Sequence, residues 1–135
     1  MLLLDTSAWI EFFNGSKKGQ RVKEMLRSNV CYTSIVTVAE VTNWALKEGR
    51  NINYLLNTIE QLSSVIKLDK EISSLAGRFV YEGKRAGKTL GVLNPFILAT
   101  GTIYGLKILT NSVKRGAGGK KAESTAPATG ITIGL

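Results

Sequence analysis

Met1-Leu2-Leu3-Leu4-Asp5-Thr6-Ser7 runs three leucines straight into one acid and two hydroxyl side chains. A short unbroken apolar run fits a central parallel strand buried on both faces, since a half-exposed strand would alternate apolar with polar residues. Ser7 suits the cap of a following helix, which leaves Asp5 at the carboxyl end of the strand. Open α/β sheets bind their ligands at that edge. A carboxylate there is costly to bury, and it serves chemistry, a metal ion or the cap of the next helix. Asp5 is thus the residue around which other functional groups are expected to gather.

Outward from this stretch, strand-like and helix-like segments alternate. Ala8 to Phe13 reads as a short helix stopped by Asn14-Gly15, and Lys17 to Ser28 is weakly amphipathic. Val30 to Ile35 is β-branched and aromatic, a second buried strand. Thr37 to Lys47 sets Val38, Val41, Trp44 and Ala45 on one helical face and ends at Gly49. Ile52 to Leu62 keeps the helical period, Val65 to Leu68 is a third strand, and Ile72 to Tyr81 returns to helix. Glu82 to Gly91 is polar, basic and glycine-rich, and reads as a loop or frayed helix end. Asn94-Pro95 opens a strongly apolar helix reaching Gly105, and Lys107 to Thr110 is a fourth strand. Such alternation predicts βαβ crossovers, hence a three-layer αβα sandwich around a four- or five-stranded parallel sheet. Residues 1–115 form the expected domain. From 116 to 135 the chain is rich in Gly, Ala, Ser and Thr, an expected flexible tail with a short edge strand near 131–133.

Composition narrows the chemistry. The 135 residues suit one domain with a real core, and 44% apolar residues argue against wholesale disorder. No run approaches the ~20 apolar residues of a membrane span, and no basic segment precedes the leucines. A soluble cytoplasmic protein is expected. Cys31 is the sole cysteine, which excludes an intrachain disulfide and a cysteine-based zinc cluster. Histidine is absent, which excludes a Ser-His-Asp triad, a Cys-His pair and imidazole ligation. A hydrolase built from these residues would rely on carboxylates with a hard cation. Charge is uneven: residues 1–82 hold 10 Lys/Arg against 9 Asp/Glu, and residues 83–135 hold 8 against Glu123 alone. That imbalance fits a polyanion bound along one side, or a basic surface kept for solubility.

Three residues stand out for chemistry. Beside Asp5, Glu40 closes Thr37-Val38-Ala39-Glu40, which fits a capping box and also places an acid in the first turn after the second strand. Asn94 before Pro95 is a good helix cap at the same edge, and its amide oxygen is a weaker Mg²⁺ ligand than a carboxylate. Gly87-Lys88-Thr89 imitates a phosphate loop, but only three residues separate Gly83 from Gly87 where the motif needs four, and the preceding segment is helical. Lys84, Arg85 and Lys88 remain candidates for phosphate contact. A phosphatase-type hydrolase would want a second acid two residues after Asp5, where Ser7 stands.

Together the motifs resemble the PIN domain, the nuclease fold of VapC-type toxins. The resemblance rests on Leu2 to Phe13, on Val38-Ala39-Glu40-Val41 after Thr33-Ser34-Ile35, and on Asn94-Pro95-Phe96-Ile97-Leu98-Ala99-Thr100 before Ile108-Leu109-Thr110-Asn111. It implies an Mg²⁺- or Mn²⁺-dependent ribonuclease acting on RNA, with a cluster of acids at the carboxyl edge of the sheet. It also implies a homodimer neutralised by a small antitoxin whose C-terminal segment lies across the active site. Asp5 and Glu40 match the first two acids. Asn94 falls where the third is normally aspartate, and Ser112 near a fourth, usually acidic position. Thr6, Thr110, Asn111 and Ser112 are expected to support the ligands, and Lys84, Arg85, Lys88, Lys114 and Arg115 to track the RNA backbone.

The chain departs from that pattern in its acids. None occurs between Glu82 and Glu123, so two negative charges replace three or four and metal affinity falls. Two readings follow: a ribonuclease of reduced activity, or a PIN fold that has lost catalysis and binds RNA or a protein.

Overall fold

Leu2, Leu3 and Leu4 form strand β1 (Leu2–Leu4), and all three are buried. Leu3 packs with Ile108 on one face of the sheet, while Leu2 and Leu4 pack with Leu109 on the other. The unbroken apolar run thus has apolar cover on both sides, as a central parallel strand requires. The computed structural model describes residues 1–85, 93–111 and 132–135.

Helix α1 (Thr6–Asn14) and helix α2 (Lys17–Ser28) follow, then β2 (Cys31–Ser34), α3 (Ile35–Glu48), α4 (Ile52–Leu62) and β3 (Ser64–Ile66). Helix α5 (Lys70–Arg85), helix α6 (Pro95–Tyr104), β4 (Lys107–Thr110) and β5 (Thr132–Gly134) complete the described residues. The five strands are parallel in the order β3-β2-β1-β4-β5, so β1 is central. Registers Leu2↔Cys31 and Leu2↔Lys107 bring the carboxyl ends of β1, β2 and β4 level. One core lies between the sheet and α1–α4, around Trp9, Val22, Val41 and Ile59. The other lies under α5 and α6, around Ile72, Phe79, Ile97 and Leu98. The expected three-layer α/β architecture is therefore the observed one, with five strands. Among the described residues, no helix is long and apolar enough to cross a membrane.

Helix starts differ from the sequence reading in two places that matter for the site. The cap of α1 is Asp5, whose side chain accepts from Ala8 N–H, so Ser7 lies inside the first turn. The cap of α3 is Ser34, which accepts from Val36 N–H at 3.1 Å. Ile35 is β-branched and reads as the end of the strand, but a competent cap followed by burial against the sheet outweighs that preference. The capping-box reading of Thr37 and Glu40 therefore fails, and Glu40 sits in the second turn with its side chain bonded to Thr6 and Asn94 instead of its own helix start. Helix α5 also extends further than expected at both ends, taking in Glu82 to Arg85. Strand β3 starts one residue early and stops at Ile66.

The crossing of α1 over α2 is tight. A Cβ built on Gly19 would lie 2.1 Å from the carbonyl oxygen of Glu11. Gly19→Ala is expected to destabilise the fold by about 1–3 kcal/mol, the usual range for overpacking, read as a lower urea midpoint at unchanged slope.

Candidate active site

Asp5 follows β1 directly, its amide donating to Leu109 O across the β1–β4 pair at 3.1 Å. The residue is 4% exposed. Its Oδ1 accepts from Ser7 Oγ at 2.7 Å and from Ala8 N at 3.0 Å, and its Oδ2 accepts from Thr110 Oγ1 at 2.5 Å. Burial pushes its carboxyl above the ordinary aspartate range, and the Thr110, Ser7 and Ala8 hydrogen bonds pull the other way.

Glu40 comes from α3. Its Oε1 accepts from Thr6 Oγ1, which lies 3.2 Å from Thr37 Oγ1. Its Oε2 accepts from Asn94 Nδ2 at 3.2 Å. Asn94 caps α6, its Oδ1 accepting from Phe96 N at 2.8 Å, and Pro95 fills the first helical position. Asp5, Thr6, Glu40 and Asn94 line one cleft of about 530 Å³ at the carboxyl edge of the sheet. Further along α3, Trp44 and Lys47 line it too. They stand four and seven residues after Glu40, the spacing of one helix face.

A second network braces the first. Asn111 N donates to Ser7 Oγ at 2.8 Å, and Asn111 Nδ2 donates to Glu11 Oε2 at 3.0 Å. Lys18 Nζ donates to Asn111 Oδ1 at 2.7 Å, and Ser16 Oγ donates to Glu11 Oε1 at 2.5 Å. The hydroxyls of Ser7 and Thr110 lie 3.2 Å apart. The start of α1, the start of α2 and the end of β4 are thus clamped around Asp5.

Of the expected site residues, the structure brings Asp5, Glu40, Asn94 and Thr6 into the cleft, with Thr110 on Asp5 and Asn111 one step behind, on Ser7. Ser112, Lys88, Lys114, Arg115 and the side chains of Lys84 and Arg85 lie outside the described residues, as does Gly87-Lys88-Thr89. Sequence reasoning missed Ser7, Glu11, Lys18, Trp44 and Lys47 as site residues. Helical spacing from Glu40 marks Trp44 and Lys47. The contacts of Lys18 and Glu11 with Asn111 span about a hundred residues and leave no local signal.

As donors to a divalent cation, Asp5 and Glu40 have the right chemistry: both offer carboxylate oxygens in one cleft. Asn94 does not, because it turns an N–H toward Glu40 and its oxygen toward the α6 amide. Among the described residues, no group of three or more His, Cys, Asp or Glu is placed to hold a metal.

A parallel α/β sheet with two acids at its carboxyl edge is the architecture of open α/β folds that bind ligands at that edge, and comparison with known proteins narrows it. The PIN domain profile matches residues 2–112, and the chain belongs to the PIN domain family, whose members are generally nucleases. Among solved structures, a toxin-antitoxin complex from Klebsiella pneumoniae is similar at a TM-score of 0.70 and 21% identity, covering 98% of this chain and 96% of that one. VapBC2 from Rickettsia felis, bound to a DNA fragment from its promoter, gives 0.74 at 14% identity, covering 99% and 98%. FitAcB from Neisseria gonorrhoeae gives 0.66 at 23% identity, covering 98% and 96%. At these identities the likeness is one of fold. No curated protein matches the chain.

A raised carboxyl pKa in the fold has a signed consequence. Between the unfolded value near 3.8 and the higher folded one, the native state holds the extra proton, so stability falls as pH rises through that window. Asp5→Asn keeps a capping oxygen and removes the buried charge. In metal-free buffer at neutral pH it is expected to raise Tm relative to the parent, and to flatten the fall in Tm across the acid range.

Proposed function

We propose that this protein is a ribonuclease that hydrolyses RNA phosphodiester bonds with Mg²⁺ or Mn²⁺, as the toxin of a toxin-antitoxin pair. The observation that carries the reading is the meeting of Asp5 and Glu40, 35 residues apart in sequence, in one cleft that Lys47 and Trp44 also line. Asp5 and Glu40 would hold the ion, which when bound supplies Lewis acidity and offsets charge on the phosphodiester.

The chain's own groups do the rest. Three donors hold Asp5 in one rotamer despite its burial, and Thr6 with Asn94 holds Glu40. Lys47 is an exposed cation in the cleft, suited to a phosphate on the strand beside the scissile one. Trp44 is half-buried, with the Arg50 guanidinium 4.7 Å from its ring centroid, a rigid aromatic for a neighbouring base. Lys84, Arg85, Lys88, Lys114 and Arg115 would extend the basic track.

The Klebsiella pneumoniae structure is of a toxin-antitoxin complex, which supports a small antitoxin as partner here. A homodimer and residence in the cytoplasm complete the proposal. The Asn94–Glu40 hydrogen bond favours a second reading, a PIN fold of weakened catalysis that binds RNA.

Cleavage of single-stranded RNA in Mn²⁺ separates the two. Asp5→Ala and Glu40→Gln are each expected to lower the rate at least ~100-fold, the scale of losing a residue that acts in the transition state. Turnover that survives Asp5→Ala, or no turnover by the parent in any divalent metal, sinks the nuclease reading. Lys47→Ala should weaken RNA binding and reduce the slope of log affinity against log salt by about 1, measured by fluorescence anisotropy.

A further inference from the structure

Asn94 has no freedom to turn its oxygen into the cleft. Helix α6 starts at Pro95, which has no amide proton, so Phe96 N–H is the first donor needing a partner, and Asn94 Oδ1 supplies it at 2.8 Å. Nδ2 is then the end that faces Glu40 Oε2, at 3.2 Å. Rotating the amide by half a turn would set two N–H donors against each other at Phe96. The same turn would set two oxygens against each other at Glu40. The hydrogen-bond network assigns the orientation.

Glu40 is thereby satisfied on both oxygens by neutral donors, Thr6 on Oε1 and Asn94 on Oε2. Asp5 is satisfied by three more. Among the described residues no buried side-chain nitrogen or oxygen lacks a partner, so the buried Asp5 is held without outside help, and the partly exposed Glu40 has a protein donor on each oxygen. A site designed around a cation normally leaves carboxylate oxygens facing each other, and the ion relieves their repulsion.

We propose that the Asn94 amide N–H takes a cation's place on Glu40 Oε2, so that a divalent ion at Glu40 competes with the Asn94–Glu40 hydrogen bond. The proposal rests on the reading of this cleft as a metal-dependent nuclease site, and it makes Asn94 an obstacle to the metal instead of a weak ligand. A missing charge and a blocking N–H are different effects, and serine at this position separates them. Asn94→Ser keeps a capping oxygen for Phe96 and deletes the N–H, without adding charge.

The test uses the full chain with Mn²⁺ alone, followed by calorimetric titration and by thermal unfolding in EDTA and in Mn²⁺. In EDTA the parent is expected to melt highest, and N94D lowest because its new carboxylate faces Glu40. In Mn²⁺, N94D is expected to bind roughly 10–100-fold more tightly than the parent and to regain its lost Tm. N94S is expected to fall between them, tighter than the parent. The inference is overturned if N94S binds Mn²⁺ no more tightly than the parent, or if the parent binds as tightly as N94D. Should N94D fail to fold, the comparison of N94S with the parent still decides. Metal binding is read apart from RNA cleavage, so a chain that binds Mn²⁺ as expected yet leaves RNA intact in the cleavage assay overturns the nuclease reading and leaves the role of the Asn94 N–H standing.

Discussion

A carboxylate that is 4% exposed must find its partners within the protein, and that demand at Asp5 shapes the whole carboxyl edge of the sheet. One partner comes from the next helix turn, Ala8 N–H, and one from Ser7 beside it. The third, Thr110, comes from the far end of the described core, 105 residues away. It can reach only because β4 lies beside β1 in parallel, with Leu4 opposite Leu109. The sheet order is therefore also the means by which the acid is tolerated. Asn111 extends the same logic, tying Ser7 to Glu11 and Lys18 and so fixing where α2 begins.

Glu40 obeys a different economy. It stands in the second turn of α3, partly exposed, and its partners Thr6 and Asn94 are themselves helix-start residues. Three helices thus meet at one edge with their N-termini, where partial positive charge from unpaired amides favours acids and anions. A phosphodiester backbone is such an anion. The carboxylates would repel it on their own, and Lys47 along the cleft works in the opposite sense.

How far this was legible from sequence depends on the range of the interaction concerned. The Leu2-Leu3-Leu4 run settles a central strand because nothing but two-sided burial suits it. Asn94-Pro95 and Gly105 mark both ends of α6, and the structure has its cap and its left-handed glycine there. The start of α3 is hidden in the sequence because Ile35 favours strand locally, while the Ser34 cap and the packing of Thr37, Val41 and Ala45 decide for helix. That Asp5, Glu40 and Asn94 share an edge follows from βαβ topology. That Asn94 offers Glu40 a proton instead of an oxygen does not, since it depends on which amide atom the α6 cap consumes. The Lys18–Asn111–Glu11 clamp was invisible because its members lie 93 and 100 residues apart.

The two tryptophans stand in unlike surroundings, and this gives the molecule two separate optical windows. Trp9 is wholly buried, its indole N–H bonded to Thr33 Oγ1 at 3.1 Å, so its emission belongs to the blue, water-free end of the range. Trp44 lies half open on the cleft with a guanidinium against its ring, so its emission belongs to the red end and responds to whatever enters. Loss of the blue component reports unfolding of the core. A change confined to the red component reports occupancy of the cleft, with no label attached.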